Sequence, residues 1–372
     1  MTSHLLGFCV PTLSNGGAER AMATLASECV ELGWDVDMVL LDGKDVDYAD
    51  ELSPRVHVVD LHQKHAWTSV PALLHYLRQR RPAALFSTIS LMNCAAAAAT
   101  RLAHIRTRLV LREADTMLEY SGTIRFLVSI LYRGADSIVA VSGDVKKELV
   151  LKARLPEGHI CVIRNSVDVN HVRQLAHVEL PTPFPTDDAP VILGVGRLEP
   201  QKDFATLLRA FAAVRADRPC HLIILGRGSQ LVELQELAHD LGVSSDVAFP
   251  GFAKNPYAWM ARSKVFVLSS VHEGCPNVLL QALACGCSVV ATDAPGDARF
   301  LLHDGTLGRL VPVGDWHNMA QAIQTALDDD RTAAMEAAME EWLRTFEPRA
   351  AAIAYLAAAG LQCGSEAACK TP

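Results

Sequence analysis

A chain of 372 residues exceeds what one ordinary core supports and calls for two domains, each able to bury a stable interior. With 50% hydrophobic and 20% charged residues it has the composition of a soluble globular enzyme, which excludes a disordered or fibrous chain. A formal net charge of -8 excludes a general nucleic-acid binder, although a local basic patch stays open. The ten cysteines lack paired metal-type spacing and follow no secretion signal, so they are expected to be mostly buried reduced thiols. The apolar stretch from Leu5 to Val10 is far too short to cross a membrane and has no basic flank. The expectation is a cytoplasmic protein without a transmembrane segment.

Leu5 to Val10 reads as a first strand, followed by Pro11 to Gly17 and a helix over Ala18 to Ala26. Strand, Gly16-Gly17 and helix make an anion-accepting turn, or equally a tight turn needing glycine. Trp34 to Leu41 is the next strand. Its Asp35 and Asp37 spell a DxD that is set aside as a metal site, because a solvated strand entry suffices; Asp45 and Asp47 lie in a polar loop and are weaker. Pro71 to Arg81 is an amphipathic helix stopped by Pro82, Ala84 to Thr88 a strand, and Cys94 to Leu102 an alanine-rich helix. Leu109 to Leu111 resumes the sheet and delivers Arg112 and Glu113 to a loop. Ile124 to Arg133 has apolar residues at helical spacing between two arginines. It suits an anionic membrane surface, but packing on the sheet is the reading placed ahead. Ser137 to Ser142 and Cys161 to Asp168 complete the strands of the first half. The proline-rich stretch 181–190 then marks the domain boundary.

The second half restarts with the strand Val191 to Gly196 and the loop carrying Arg197 and Lys202, ahead of a helix over Ala205 to Arg215. Two cations at a strand's mouth suit a diphosphate, and a solvated loop is the alternative. His221 to Gly228 is strand and turn. Leu231 stands where a dinucleotide fingerprint needs its third glycine, so that fold is poorly supported. Further strands are expected at Asp246 to Phe249, Lys264 to Ser270, Ser288 to Thr292 and, as an edge, Arg309 to Val313. Helices follow over Trp316 to Leu327, Arg331 to Arg344 and Pro348 to Leu361, with the last eleven residues frayed. Between the strand at 264–270 and a helix whose first turn holds Pro276, the segment His272 to Gly286 places an acid, a glycine and a proline at a helix start. Free amides and the positive dipole end there favour an anion.

Alternating apolar strands and amphipathic helices in both halves give an α/β fold of two doubly wound, Rossmann-like domains, with the functional loops at the strands' carboxyl ends and the cleft between the domains as the expected site. Gly-Gly turn, Arg197, Lys202, Glu273 and a helix N-terminus together suggest a nucleotide sugar.

These residues give the chain a resemblance to retaining glycosyltransferases of family 4, which have the two-domain GT-B architecture. It rests on Gly16-Gly17-Ala18-Glu19-Arg20, Asn165-Ser166-Val167-Asp168, the run Gly194 to Lys202, and the run Glu273 to Ala282, and covers nearly the whole length. The resemblance implies an N-terminal acceptor-side domain at 1–180, a C-terminal donor-binding domain at 181–345, and a terminal helix at 346–372 that crosses back onto the first domain. It implies that Arg197 and Lys202 neutralise the leaving nucleoside diphosphate and that Glu273 touches the donor sugar, the three being the catalytic set. Gly16, Gly17, Gly196, Gly226, Gly274, Pro276, Asn277, Val278 and Gln281 complete the donor-binding set. Gln281 stands where the family has a second glutamate, and an amide can still hydrogen-bond ribose there. Arg112 and Glu113 occupy the loop equivalent to the family's acceptor-side histidine.

The function so implied is transfer, with retention, from a nucleotide sugar (UDP- ahead of GDP-) to a glycan or lipid-linked acceptor in cell-surface polysaccharide or glycolipid assembly. No cofactor and no obligatory metal are expected. Arg78, Arg80, Arg81, Arg125 and Arg133 offer a peripheral contact at the inner face of the membrane. An epimerase or phosphorylase on the same fold, or a non-catalytic nucleotide-sugar-binding partner, are the alternatives.

Overall fold

Short β-branched runs alternate with amphipathic helices, and in the computed structural model they close two parallel sheets, each flanked by helices. The structure describes residues 4–14, 16–44, 51–117, 120–180, 184–185, 187–329 and 332–362. Asn15, Asp45 and Asp47, Pro181 to Pro183, Thr186, Arg331 and the tail from Cys363 onward lie outside them.

The chain divides into one unit of Met1–Ser166 with Phe346–Pro372 and a second of Val167–Thr345. The first holds β1 (Leu5–Val10), β2 (Asp35–Leu40), β3 (His57–Asp60), β4 (Ala84–Thr88), β5 (Arg108–Glu113), β6 (Ser137–Ala140) and β7 (Ile160–Val162) in the order β3-β2-β1-β4-β5-β6-β7. The second holds β8 (Val191–Val195), β9 (His221–Leu225), β10 (Val247–Gly251), β11 (Val265–Leu268), β12 (Ser288–Thr292) and β13 (Arg309–Val311) in the order β10-β9-β8-β11-β12-β13. In each parallel sheet the order in which strands are added reverses once, between β1 and β4 and between β8 and β11, and such a switch point opens a crevice at the strands' carboxyl ends.

The division falls at 166/167 and not at 180/181, because the helix Val169–Ala176 is tied into the second unit. Arg173 donates to the carbonyl of Ala284 at 3.2 Å and pairs with Glu340 at 2.6 Å. Asn255 donates to Leu175 O at 2.9 Å, and the ring of Phe184 lies 6.0 Å from that of Trp259. The chain returns to the first unit through the helix Pro348–Ala358, whose Ala352, Tyr355 and Leu356 join the core formed by Leu6, Phe8, Met22 and Phe86. Tyr355 meets Phe86 edge-on at 6.1 Å.

Three local expectations change. Arg112 and Glu113 are the last two residues of β5 and not loop residues. Pro276 stands just before the helix Asn277–Ala284 and not in its first turn. Asp37 is not a solvated entry: it is fully buried and accepts from Tyr76 OH at 3.0 Å and from Arg80 Nε at 2.9 Å and Nη2 at 2.8 Å. Burial and the Asp37 carboxylate push the Tyr76 phenol far up. Asp37→Ala strands that hydroxyl in the core, and because the Arg80 head reaches solvent the expected loss is about 2 kcal/mol, below that of a fully enclosed pair. Urea denaturation reads it directly, and an unchanged midpoint would contradict the assignment.

Candidate active site

Loops after β8 and β11 meet at the switch point of the second sheet, since the two strands are neighbours with Val265 opposite Ile192 and Phe266 opposite Leu193. The first loop is fixed at both ends. Gly196 N–H donates to Leu225 O at 3.0 Å and Leu198 N–H to Arg227 O at 2.9 Å. Gly226 has φ +152, and a Cβ there would lie 1.8 Å from Gly196 O, so glycine is required for the two turns to touch. At its far end Asp203 caps the helix Phe204–Asp217, accepting from Thr206 N–H at 3.2 Å and Thr206 Oγ1 at 2.7 Å. Between these anchors Arg197 is exposed and Lys202 half-buried.

The second loop brings Glu273 against Lys202. Glu273 is 7% exposed, and its Oε1 accepts from Ser270 Oγ at 2.6 Å and forms an ion pair with Lys202 Nζ. Its backbone is clamped by the segment after β12: Glu273 N–H donates to Pro295 O at 2.9 Å and Asp297 N–H to Gly274 O at 3.1 Å. Gly296, at φ +126, passes so close that a Cβ would come 2.2 Å from Glu273 O. Ser269 Oγ donates to Lys202 O at 2.6 Å, which fastens the two loops to each other. Among the described residues Glu273 Oε2 accepts no hydrogen bond and the Nε and Nη1 of Arg197 donate none, so each keeps polar capacity for something else.

The helix Asn277–Ala284 then begins with Asn277 and Val278 in its first turn. First-turn amides lack intrahelical acceptors and sit at the positive end of the dipole, so they suit an anion. Gln281 lies on the buried side of this helix, with Nε2 3.5 Å from Tyr257 OH. Burial pushes the Cys285 thiol, just past the helix, up to about 12, so it stays protonated and unreactive at neutral pH. Two cations, one carboxylate and a helix start can thus hold an anionic group beside a hydroxylated one. Among the described residues no group of three or more His, Cys, Asp and Glu side chains is arranged to hold a metal ion.

In the first unit, Gly16 caps the helix Gly17–Glu31 after β1, and its carbonyl accepts from Arg20 N–H at 3.1 Å. Arg112 and Glu113 are each 1% exposed. Arg112 donates to Thr88 Oγ1 at 2.9 Å and Asn165 Oδ1 at 2.6 Å. Glu113 accepts from Ser90 Oγ at 3.0 Å, Tyr120 OH at 2.8 Å and Tyr132 OH at 2.7 Å. Burial pushes the Glu113 carboxyl above the usual carboxylate range, opposed by its three hydroxyl donors. Both side chains therefore fasten strand ends and helices together inside the unit. Ile89, a β-branched residue at φ +71 between β4 and the helix Ser90–Ala103, marks the same corner as strained.

Arg197, Lys202, Glu273, Gly274, Pro276, Asn277 and Val278 thus fall on loops and a helix start around one switch point, with Gly196 and Gly226 in the touching turns after β8 and β9. Sequence reasoning missed Ser270, Gln201 and Gly296. A hydroxyl three residues ahead of Glu273 was the available signal for the first. Gly296 packs against a partner distant in the chain, and Gln201 joins its neighbour Arg197 to the distant His272, so neither left a local signal.

The chain matches the family described as Glycosyltransferase Family 4 over residues 15–171 and that described as Glycosyl transferases group 1 over residues 189–329. It is 32% identical, over 88% of its length and 91% of the relative's, to the N-acetylgalactosamine-N,N'-diacetylbacillosaminyl-diphospho-undecaprenol 4-alpha-N-acetylgalactosaminyltransferase of Campylobacter jejuni. A lipopolysaccharide core biosynthesis glycosyltransferase of Rhizobium meliloti, LpsE, is 36% identical over 53% of this chain and 56% of that protein. Among solved structures, a glycosyltransferase of Rickettsia africae superposes with a TM-score of 0.78 at 16% identity, over 96% of this chain and 98% of that one. HepE of Anabaena, solved with UDP and glucose, superposes with 0.79 at 20% identity, over 95% and 98%.

Two Rossmann-like sheets and these likenesses define a glycosyltransferase of the GT-B fold. More particularly, the chain belongs to glycosyltransferase family 4.

Proposed function

We propose that this enzyme moves a sugar from a nucleoside-diphosphate sugar, UDP- ahead of GDP-, to a glycan or lipid-linked acceptor in cell-surface polysaccharide or glycolipid assembly, with retention at the anomeric carbon. The observation that supports it most is the placing of Arg197, Lys202 and Glu273 on adjacent loops at one switch point. In this reading Arg197 and Lys202 face the diphosphate and stabilise the charge that develops as the bond from the anomeric carbon to phosphate oxygen breaks. The amides of Asn277 and Val278 bind the same phosphates. Glu273 Oε2 accepts from a donor-sugar hydroxyl, and Gln281 reaches the ribose. The acceptor oxygen attacks from the face the phosphate leaves, and its proton passes to the departing phosphate oxygen. Fixed cations here perform the charge neutralisation that a metal performs elsewhere, so none is required. Arg112 and Glu113 serve the acceptor side by fixing strand ends within the first domain.

The Campylobacter relative is named for an acceptor carried on diphospho-undecaprenol, which supports a lipid-linked acceptor here. No helix among the described residues is long and apolar enough to cross a membrane. A peripheral contact at the inner membrane surface is part of this proposal. The helix Gly122–Leu131 supports such a contact, with Phe126 63% exposed, Ile130 53% exposed one turn on, and Arg125 exposed beside them. Arg80 serves less well, being paired with Asp37. Phe126→Ser with Ile130→Ser is expected to lower binding to anionic vesicles about tenfold or more. Flotation at low salt measures this, and equal flotation of the variant, or none of the wild type, would remove the membrane face. The reaction itself is tested by supplying UDP-sugars with lipid-linked acceptors and reading the product's anomeric configuration by NMR. Retention is expected, and an inverted product or consumption of donor without an acceptor would refute the proposal.

A further inference from the structure

Gln201 is 6% exposed, yet its amide is spent across two loops. Its Oε1 accepts from Arg197 Nη2 at 3.0 Å, while its Nε2 donates to His272 O at 3.1 Å and lies 3.3 Å from His272 Nδ1. The amide has one permitted orientation, because a guanidinium can only donate and a carbonyl can only accept. With the second Nε2 hydrogen aimed at the ring, His272 Nδ1 is an acceptor and the ring proton belongs on Nε2. The backbone adds a further link, Val271 N–H donating to Gln201 O at 2.9 Å. Arg197 is otherwise an exposed side chain with several rotatable bonds, and nothing else among the described residues accepts a hydrogen bond from its guanidinium.

We propose that Gln201 is a positioning residue for sugar transfer: it holds the Arg197 guanidinium in register with the Val271–Glu273 segment, so that the cation and the carboxylate act on one donor at once. This rests on the donor-site reading of Arg197. Holding a flexible cation in place in advance removes its ordering cost from the reaction, and small displacements of such groups have large kinetic effects.

Gln201→Met preserves volume and removes the side-chain hydrogen bonds to Arg197 and His272. It is expected to lower kcat/KM for the donor about tenfold to a hundredfold, with the acceptor KM unchanged. The decisive comparison is a double-mutant cycle, read on transfer rate and on calorimetric UDP affinity. In an Arg197→Ala background, Gln201→Met should cost less than about twofold, because there is no guanidinium left to position. Equal losses in both backgrounds would make Gln201 a general packing residue and overturn the inference, as would a wild-type rate in Gln201→Met. Should the Met variant melt well below the wild type, Gln201→Asn, which keeps the amide but withdraws it by one methylene, carries the same cycle. If Arg197→Ala itself transfers at the wild-type rate, the donor-site reading fails together with the inference. Loss in Arg197→Ala with no loss in Gln201→Met sinks the inference alone.

Discussion

Replacing Lys202 with alanine is expected to lower transfer about 10²- to 10³-fold and to weaken nucleoside-diphosphate binding with it. A cation fixed where negative charge accumulates is worth most when its surroundings hold it in advance. Lys202 is held on both sides: its backbone carbonyl accepts from Ser269 Oγ at 2.6 Å, and its ammonium is paired with Glu273. Removing it also leaves the Glu273 carboxylate with Ser270 as its one remaining hydrogen-bond partner among the described residues. Donor affinity and turnover should therefore fall together. A variant that loses turnover but binds UDP as the wild type does would place Lys202 off the diphosphate.

Glu273→Ala carries the second large effect, with a different signature. Transfer should again fall at least about 10²-fold, because the hydroxyl contact that orients the sugar is lost. UDP affinity should hold or rise. The Lys202 ammonium is neutralised by Glu273, and a diphosphate must compete with that carboxylate for it. Removing the competitor leaves the cation free for phosphate. Calorimetry with UDP set beside the transfer rate separates the two variants: both lose transfer, and only Lys202→Ala loses UDP. If Glu273→Ala weakens UDP binding as severely as Lys202→Ala does, the division of labour between the two residues is wrong.

Most of this architecture could be read from residue patterning because parallel strands buried on both faces are nearly continuous apolar runs. The strands Ala84–Thr88 and Ser288–Thr292 fall where the runs do. The exposed edge strand His57–Asp60 has four residues and no such run, and it escaped notice. The division at 166/167 is hard to read from the sequence for a related reason. A proline-rich stretch predicts only a break in regular elements, whereas membership of a unit is decided by side chains such as Arg173, whose partners Ala284 and Glu340 lie far along the chain. The same limit applies at the site. Glu273, Arg197 and Lys202 stand out because charged residues at strand ends are hard to explain by packing. Gln201 does not, because the link it makes from Arg197 ends on His272, 71 positions away, and a glutamine in a polar turn has no distinguishing sequence signal. Asp37 shows the converse: two aspartates at metal-like spacing conceal a buried partner for Arg80 and Tyr76 that no local pattern reveals.

The central claim is that Arg197 and Lys202 receive a nucleoside-diphosphate sugar. Thermal unfolding of the wild type and of an Arg197→Ala/Lys202→Ala variant across a panel of nucleotide sugars tests it most directly. A ligand at a hundredfold excess over its Kd adds about 2.7 kcal/mol to the native state, which moves the midpoint by several degrees. The prediction is that a UDP-sugar raises the wild-type midpoint by that amount and leaves the double variant where it was. A panel that shifts neither protein, or a shift that survives in the variant, would contradict it.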